Sequence, residues 1–312
     1  MTIPRIVTIG DLTADLLMPV RLPVEAGHSQ EMAWHSVEPG AAGNFLIAGQ
    51  RLSAQLYALG AVGDDLYGHH ALKILSGEGV NVEGVAVEPT ISTTVVAVLF
   101  EPDAGKFSYV WHGGHGEPIP VSETAIRIIE QADALFMQGF TLCEASLRPL
   151  VDYALGSSRP IWFDVGPATN DLAEKDRVKM RQRAYAIMTT EDELPLIASG
   201  KTGQVACDLI LQDGPHMVVI KRGDQGCRVG THTEQIDVPA FTVKVRDLVG
   251  AGDCFNAAFM VAMLQGLPLA ESGKLANAAG AAKIQKLGTG RAMPTRIEIE
   301  AVLDSAGVTI NF

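Results

Sequence analysis

Apolar positions in this chain gather into short, nearly continuous runs, separated by polar turns and by longer stretches of spaced apolar residues. Arg5-Ile6-Val7-Thr8-Ile9 is the first run and ends at Gly10; Gln55 to Val62 is the next and ends at Gly63-Asp64-Asp65. An apolar run of this length bounded by turn residues predicts a strand buried on both faces. From Ala134 the rhythm is regular, with strands over 134–138, 160–164, 186–189 and 217–221 and helices over 144–155 and 176–184. A last helix pair is expected over 253–264 and 275–287, the first stopped by Gly266. Alternation of strands and helices over 130–290 implies an α/β fold, a mostly parallel sheet flanked by helices on both faces. The region before it differs. Residues 16–38 suggest short strands and turns, 45–52 and 67–79 helices, and 93–100 with 107–112 a hairpin around Glu101 to Lys106. Gly113-Gly114-His115-Gly116 reads as a hinge, and Cys227 to Val238 as a second hairpin.

Composition narrows the classes. The 312 residues suffice for one large or two ordinary domains, and 47% hydrophobic with 19% charged residues is ordinary globular material. A net charge of −12 argues against a nucleic-acid or anionic-membrane surface. No apolar run reaches membrane-spanning length, and the first residues lack the pattern of a signal peptide. Cys143, Cys207, Cys227 and Cys254 are scattered, which fits reduced thiols in a cytoplasmic protein.

The candidate chemistry centres on Gly250-Ala251-Gly252-Asp253, where a tight turn opens an Ala-rich helix. Free amides at a helix start make an anion site, and Asp253 places a carboxylate at its mouth. A plain turn with Asp253 as N-cap explains the same residues. Asp11 and Asp15 follow the first strand, where open α/β sheets bind ligands. Asn44 stands at a helix entrance after Pro39-Gly40-Ala41-Ala42-Gly43, as a hydroxyl ligand or an Asn cap. Two other motifs fail. Gly273-Lys274 would need Ser or Thr at Leu275 and Gly at Pro268 to be a P-loop, and Phe255 occupies the third glycine position of a dinucleotide fingerprint. A glycine turn, Gly223 to Gly226, and an acidic cluster ending in Glu193 complete a set suited to moving a phosphoryl group from a nucleotide to a polyol.

These residues resemble the PfkB/ribokinase family of sugar kinases over nearly the whole chain. Asp247-Leu248-Val249-Gly250-Ala251-Gly252-Asp253 is similar to the family's D-T-x-G-A-G-D signature. Pro39 to Asn44 is similar to its G-G-x-x-x-N signature, with Pro39 at the first glycine position, and Gly63-Asp64 to its early Gly-Asp pair. Thr190-Glu191-Asp192-Glu193 is similar to its N-x-x-E motif, and Asn277 to its late Asn. The resemblance implies one ribokinase-like domain over 1–312, with a small β-sheet lid from about 11–38 and 91–116. It implies an ATP- and Mg²⁺-dependent kinase, with Asp253 as the general base and the amides of Gly250, Ala251 and Gly252 as an anion hole. At the helix start, Asp253 would be a ready but weak proton acceptor, because the dipole favours its ionised form. By the same resemblance Asp11, Asp15 and Asn44 bind acceptor hydroxyls with Gly40 in close approach, and Lys221, Gly223, Gly226 and Asn277 border the nucleotide. Glu193 holds Mg²⁺ through water, Asp247 is a candidate ligand for a monovalent cation such as K⁺, and the lid forms a homodimer contact. Leu248 and Thr190 depart from the family's Thr and Asn. Lys221 replaces a frequent small hydroxyl residue, and Ala41 a Lys common among relatives. A loop without cations suits an uncharged sugar or a nucleoside, from ribose-, fructose- or ketogluconate-like compounds. Asp11, Met32, Trp34, Tyr109, Trp111 and His112 would tune that choice. A catalytically weak binding or regulatory homologue is the alternative outside enzymes.

Overall fold

The structure, a computed structural model, describes residues 3–114 and 116–312; His115 of the expected hinge lies outside the described residues. The strands are β1 (Arg5–Ile9), β2 (Ala14–Pro19), β3 (Ser36–Pro39), β4 (Gln55–Gly63), β5 (Asn81–Glu88), β6 (Val95–Glu101) and β7 (Lys106–His112). They continue as β8 (Ala134–Gln138), β9 (Ile161–Asp164), β10 (Ala184–Thr190), β11 (Met217–Lys221), β12 (Cys227–Thr231) and β13 (Gln235–Val238). The helices are α1 (Ala42–Arg51), α2 (Leu66–Gly77), α3 (Glu123–Glu130), α4 (Gly139–Cys143), α5 (Arg148–Gly156) and α6 (Glu174–Arg183). They end with α7 (Leu194–Ile197), α8 (Gly203–Gln212), α9 (Ala251–Leu264), α10 (Leu269–Ile284) and α11 (Arg296–Ser305).

One sheet has nine strands in the order β13-β12-β11-β10-β9-β8-β1-β4-β5. It is parallel from β11 to β5, and β12 alone is reversed, pairing antiparallel with both β11 and β13. The apolar runs are continuous because both faces are covered. In β8, Ala134 and Phe136 face a core with α1, α9 and α10, while Leu135 and Met137 face a second core with α3, α5 and α8. The α/β class therefore follows from period-two alternation within runs that are apolar throughout.

A smaller sheet, β3-β2-β6-β7, stands apart. Leu17, Val98 and Phe100 on one of its faces pack against Val249 of the glycine loop. This sheet corrects one expectation. Asp15 lies within β2, paired with Glu38 and Val96, not in a loop past β1.

Other elements differ from the sequence pattern. Strand β5 and helices α3, α8 and α11 fall outside the expected elements, although α3 buries Ala125, Ile128 and Ile129 and α8 buries Ala206, Cys207, Ile210 and Leu211 at helical spacing. The helix expected from Glu144 begins at Arg148, after the short α4. Helix α10 begins at Leu269, so Gly273-Lys274 lies inside a helix and Asn277 in its middle. Gly266, at φ +84°, stops α9 as expected.

Candidate active site

The topology creates a polar edge. Moving through the chain from β1, strands are added on one side by β4 and β5, then on the other by β8 to β11. Such a reversal opens a crevice beyond the carboxyl ends of the strands. Gln138, Asp164, Thr190 and Lys221 are the last residues of β8, β9, β10 and β11, and the register sets Gln138 beside Asp164 and Thr190 beside Lys221.

Helix α9 points its N-terminus at this edge. Its N-cap is Gly250, held at φ +78°, which only glycine adopts without strain. Asp253 is therefore in the first turn and does not cap the helix; the plain-cap reading is set aside. The Ala251 N–H is given to the Leu248 carbonyl at 3.2 Å. Gly252 and Asp253 have no backbone acceptor among the described residues, as the first turn of a helix requires. Lys221 reaches over this turn: a Cβ on Gly252 would lie 3.5 Å from its Nζ.

Asp253 is fixed from two directions. Asn44 Nδ2 donates to one carboxylate oxygen and Gln138 Nε2 to the other, each at 2.9 Å. Burial, with the Asp164 charge adding, outweighs the Asn44, Lys221 and Gln138 interactions and pushes its pKa from 3.8 up to about 6. The expectation of a weak acceptor rested on the helix terminus alone; burial makes this carboxylate more basic than an ordinary Asp. Asn44 is not a cap either, since α1 starts at Ala42 and its Oδ1 accepts the Gly290 N–H at 2.8 Å.

Asp15 sits nearby, 5% exposed. Thr13 Oγ1 donates to it at 3.2 Å and Thr289 Oγ1 at 2.9 Å. Burial still pushes it up to about 7, helped by the charges of Asp253 and Glu38. Gly40 must be glycine, because a Cβ there would fall inside the Asp15 carboxyl group. Glu38, on β3, takes a bidentate contact from Arg291 and so ties the small sheet to the loop after α10. Asp11 is half-buried on the segment between β1 and β2.

Lys221 Nζ lies 2.7 Å from Asp164 Oδ1. Burial pulls the lysine's pKa down, but Asp164 and then Glu193 more than offset this, so it stays protonated above its ordinary value. Glu193 turns back on its own motif, accepting the Thr190 N–H at 3.0 Å while Thr190 Oγ1 accepts the Glu193 N–H at 3.3 Å. Thr190 thus keeps the turn closed in place of Asn. Gly223 and Gly226 both have positive φ, and a Cβ on Gly226 would strike the Val238 carbonyl. Asn277 is buried and donates to the carbonyls of Val238 and Pro239, both at 3.0 Å, shaping the wall beside that turn.

Asp247, expected as a ligand for a monovalent cation, is engaged by protein groups on both oxygens. Its Oδ1 accepts the Val249 N–H at 3.0 Å, its Oδ2 accepts the Gly288 N–H at 2.8 Å, and the Lys283 ammonium stands 3.9 Å away. Burial pulls the Lys283 pKa down and Asp247 chiefly opposes this, so the amine already occupies the position facing the carboxylate.

Sequence reasoning missed Gln138, Asp164, Thr289 and Lys283. The first two had a signal, a polar residue closing an apolar strand at the carboxyl edge. The last two had none, because their partners come from distant parts of the chain.

Comparison with known proteins shows the family and the fold. The model of the pfkB family carbohydrate kinases matches residues 4–296. The chain is 30% identical to ribokinase of Bacillus subtilis (strain 168) over 302 residues, covering 96% of this chain and 99% of that one. It is 28% identical to 2-dehydro-3-deoxygluconokinase of Thermoproteus tenax, covering 85% and 84% of the two chains. Arabidopsis thaliana ribokinase complexed with ribose and ATP has the same fold, with a TM-score of 0.78 at 23% identity over 97% of this chain and 99% of the other.

Proposed function

We propose that this chain, which belongs to the pfkB family of carbohydrate kinases, transfers the γ-phosphate of ATP to a hydroxyl of a small sugar, with Asp253 as the general base. The acceptor class is a ribose-, fructose- or ketogluconate-like sugar. The observation that carries the reading is the Asp253 carboxylate, oriented by Asn44 and Gln138 at the open turn of α9, with a pKa of about 6. A base with that pKa is ionised at neutral pH yet basic enough to take a hydroxyl proton.

Phosphoryl transfer needs positioning and charge stabilisation more than covalent chemistry. The open N–H groups of Gly252 and Asp253 are available to incoming anionic oxygens, whereas that of Ala251, expected in the anion hole, is taken by Leu248, and Lys221 adds a fixed positive charge beside them. Gly223 and Gly226 leave the strand end open for the nucleotide, with the wall held by Asn277. Among the described residues no three His, Cys, Asp or Glu converge on one point. A Mg²⁺ ion therefore suits this edge only with phosphate oxygens and water as its main ligands, which is its ordinary mode, with Glu193 acting through water. When bound it supplies Lewis-acid neutralisation of phosphate charge.

Asp15, Asn44 and Asp11 bind the acceptor. The small sheet serves as a lid that excludes water. Its Tyr109, half-exposed on β7, is pushed up in pKa by partial burial and then by the charges of Asp15, Asp253 and Asp247, so the phenol stands within electrostatic reach of these carboxylates. That aromatic face favours the second reading, a nucleoside acceptor. Val110, 62% exposed on the edge strand β7 and on the face opposite Tyr109, suits the same sheet to a homodimer contact. No described helix is long and apolar enough to cross a membrane.

A coupled assay with ATP across sugars and nucleosides tests the reading, with Asp253→Asn as control. Absence of stimulation by any compound refutes the kinase reading. A control as active as wild type removes Asp253 as base.

A further inference from the structure

We infer that Lys283 is a tethered cation of the phosphate loop: its ammonium does from inside the protein what a bound monovalent cation would do at Asp247, so nucleotide binding here is independent of potassium. The inference rests on reading the Gly250–Asp253 turn as the nucleotide phosphate site.

Lys283 is 0% exposed, and among the described residues its Nζ has no hydrogen-bond partner. Buried lysines are rare, and unpartnered ones rarer, so the charge needs a reason. Two negative features face it. Asp247 Oδ2 lies 3.9 Å from Nζ, and Lys283 occupies the last turn of α10, where the helix dipole favours a cation. The glycine loop hangs from that same helix end, with the N–H groups of Arg246 and Asp247 both donating to the Ile284 carbonyl. A Cβ on Gly250 would meet Lys283 Cε at 3.6 Å, so the lysine stem fills the space directly beneath the turn.

The ammonium's target is Asp247, which joins two arms of the site. One oxygen holds Val249 of the glycine loop, and the other holds Gly288 of the loop that supplies Thr289 and Gly290 to Asp15 and Asn44. Without a cation, Asp247 would be a buried carboxylate with no countercharge at this junction. With the ammonium present, a second cation would meet a like charge at short range in a medium that screens poorly. Lys283 is thus a positioning residue that touches no substrate.

The test is calorimetric titration of ATP with Mg²⁺ at equal ionic strength in tetramethylammonium, sodium or potassium chloride. Wild type is expected to bind with a Kd constant to about twofold across the three salts. Lys283→Ala is expected to bind about tenfold more weakly in tetramethylammonium, and to recover most of that loss in potassium or ammonium chloride. Lys283→Ser, which also vacates the space, takes its place should the alanine variant not fold. Wild-type binding that tightens about fivefold or more in potassium overturns the inference. So does a variant that binds like wild type in tetramethylammonium, or one that is weakened and recovers in no salt, since the lysine would then be packing alone. Wild type that binds ATP in none of the salts overturns the nucleotide site itself, and the inference falls with it.

Discussion

Replacing Asp15 with Asn should stabilise the fold, and increasingly so as pH rises. Asp15 is 5% exposed, and its pKa is raised from 3.8 to about 7, chiefly by burial. The sign follows from proton binding. Between those two values the folded carboxyl is protonated while the unfolded one is ionised, so the folded state holds more protons and stability falls as pH rises. Raising the pKa from 3.8 to about 7 puts the full penalty at ~4 kcal/mol above pH 7. Between pH 5.5 and 8 the part that develops is about 2 kcal/mol. Asn cannot ionise and keeps an acceptor for Thr13 or Thr289. Urea unfolding of both proteins at pH 5.5 and 8 isolates the effect, because titrating groups not coupled to Asp15 cancel in the difference. The stability gap between Asp15→Asn and wild type should widen by about 2 kcal/mol in favour of the variant. A gap that is constant with pH refutes the reasoning, because Asp15 would then titrate alike in both states. The persistence of so costly a carboxylate fits a binding role, where function is commonly retained at the expense of stability.

Asp253→Asn should lower kcat by about 10²–10⁴-fold without lowering the melting temperature, and a matching drop in melting temperature would reassign the residue to the scaffold. The wild-type rate should fall as pH drops through about 6, as the base takes up its proton, whereas a rate flat down to pH 5 would mean that the helix dipole prevails over burial. Gly40→Ala drives a Cβ into the Asp15 carboxyl, so KM for the acceptor should rise while affinity for ATP, measured by calorimetry, stays put. Lys221→Met leaves Asp164, 7% exposed, without its ion pair; stability should drop by about 3–5 kcal/mol in urea titrations, and ATP should bind more weakly.

The sequence by itself determined the elements that depend on local physics. Apolar runs such as Ala134–Met137 declare strands buried on both faces, and Gly250 declares a turn that only glycine tolerates, so the parallel α/β core and the open amides of α9 were legible. Tertiary structure decided what those elements meet. Asn44 and Asp253 are 209 residues apart, Gln138 and Asp253 115, and Thr289 and Asp15 274, and each pair is joined by a hydrogen bond that periodicity cannot encode. The electrostatics belong to the same class. From the chain, Asp253 is an acid favoured in its charged form by a helix terminus, yet packing removes water from it and raises its pKa. Asp247 looks like a place for a cation, and α10 delivers Lys283 to it. Side-chain partners and desolvation come from the crossing of distant segments, which is why the sequence located the chemistry and only the fold set its terms.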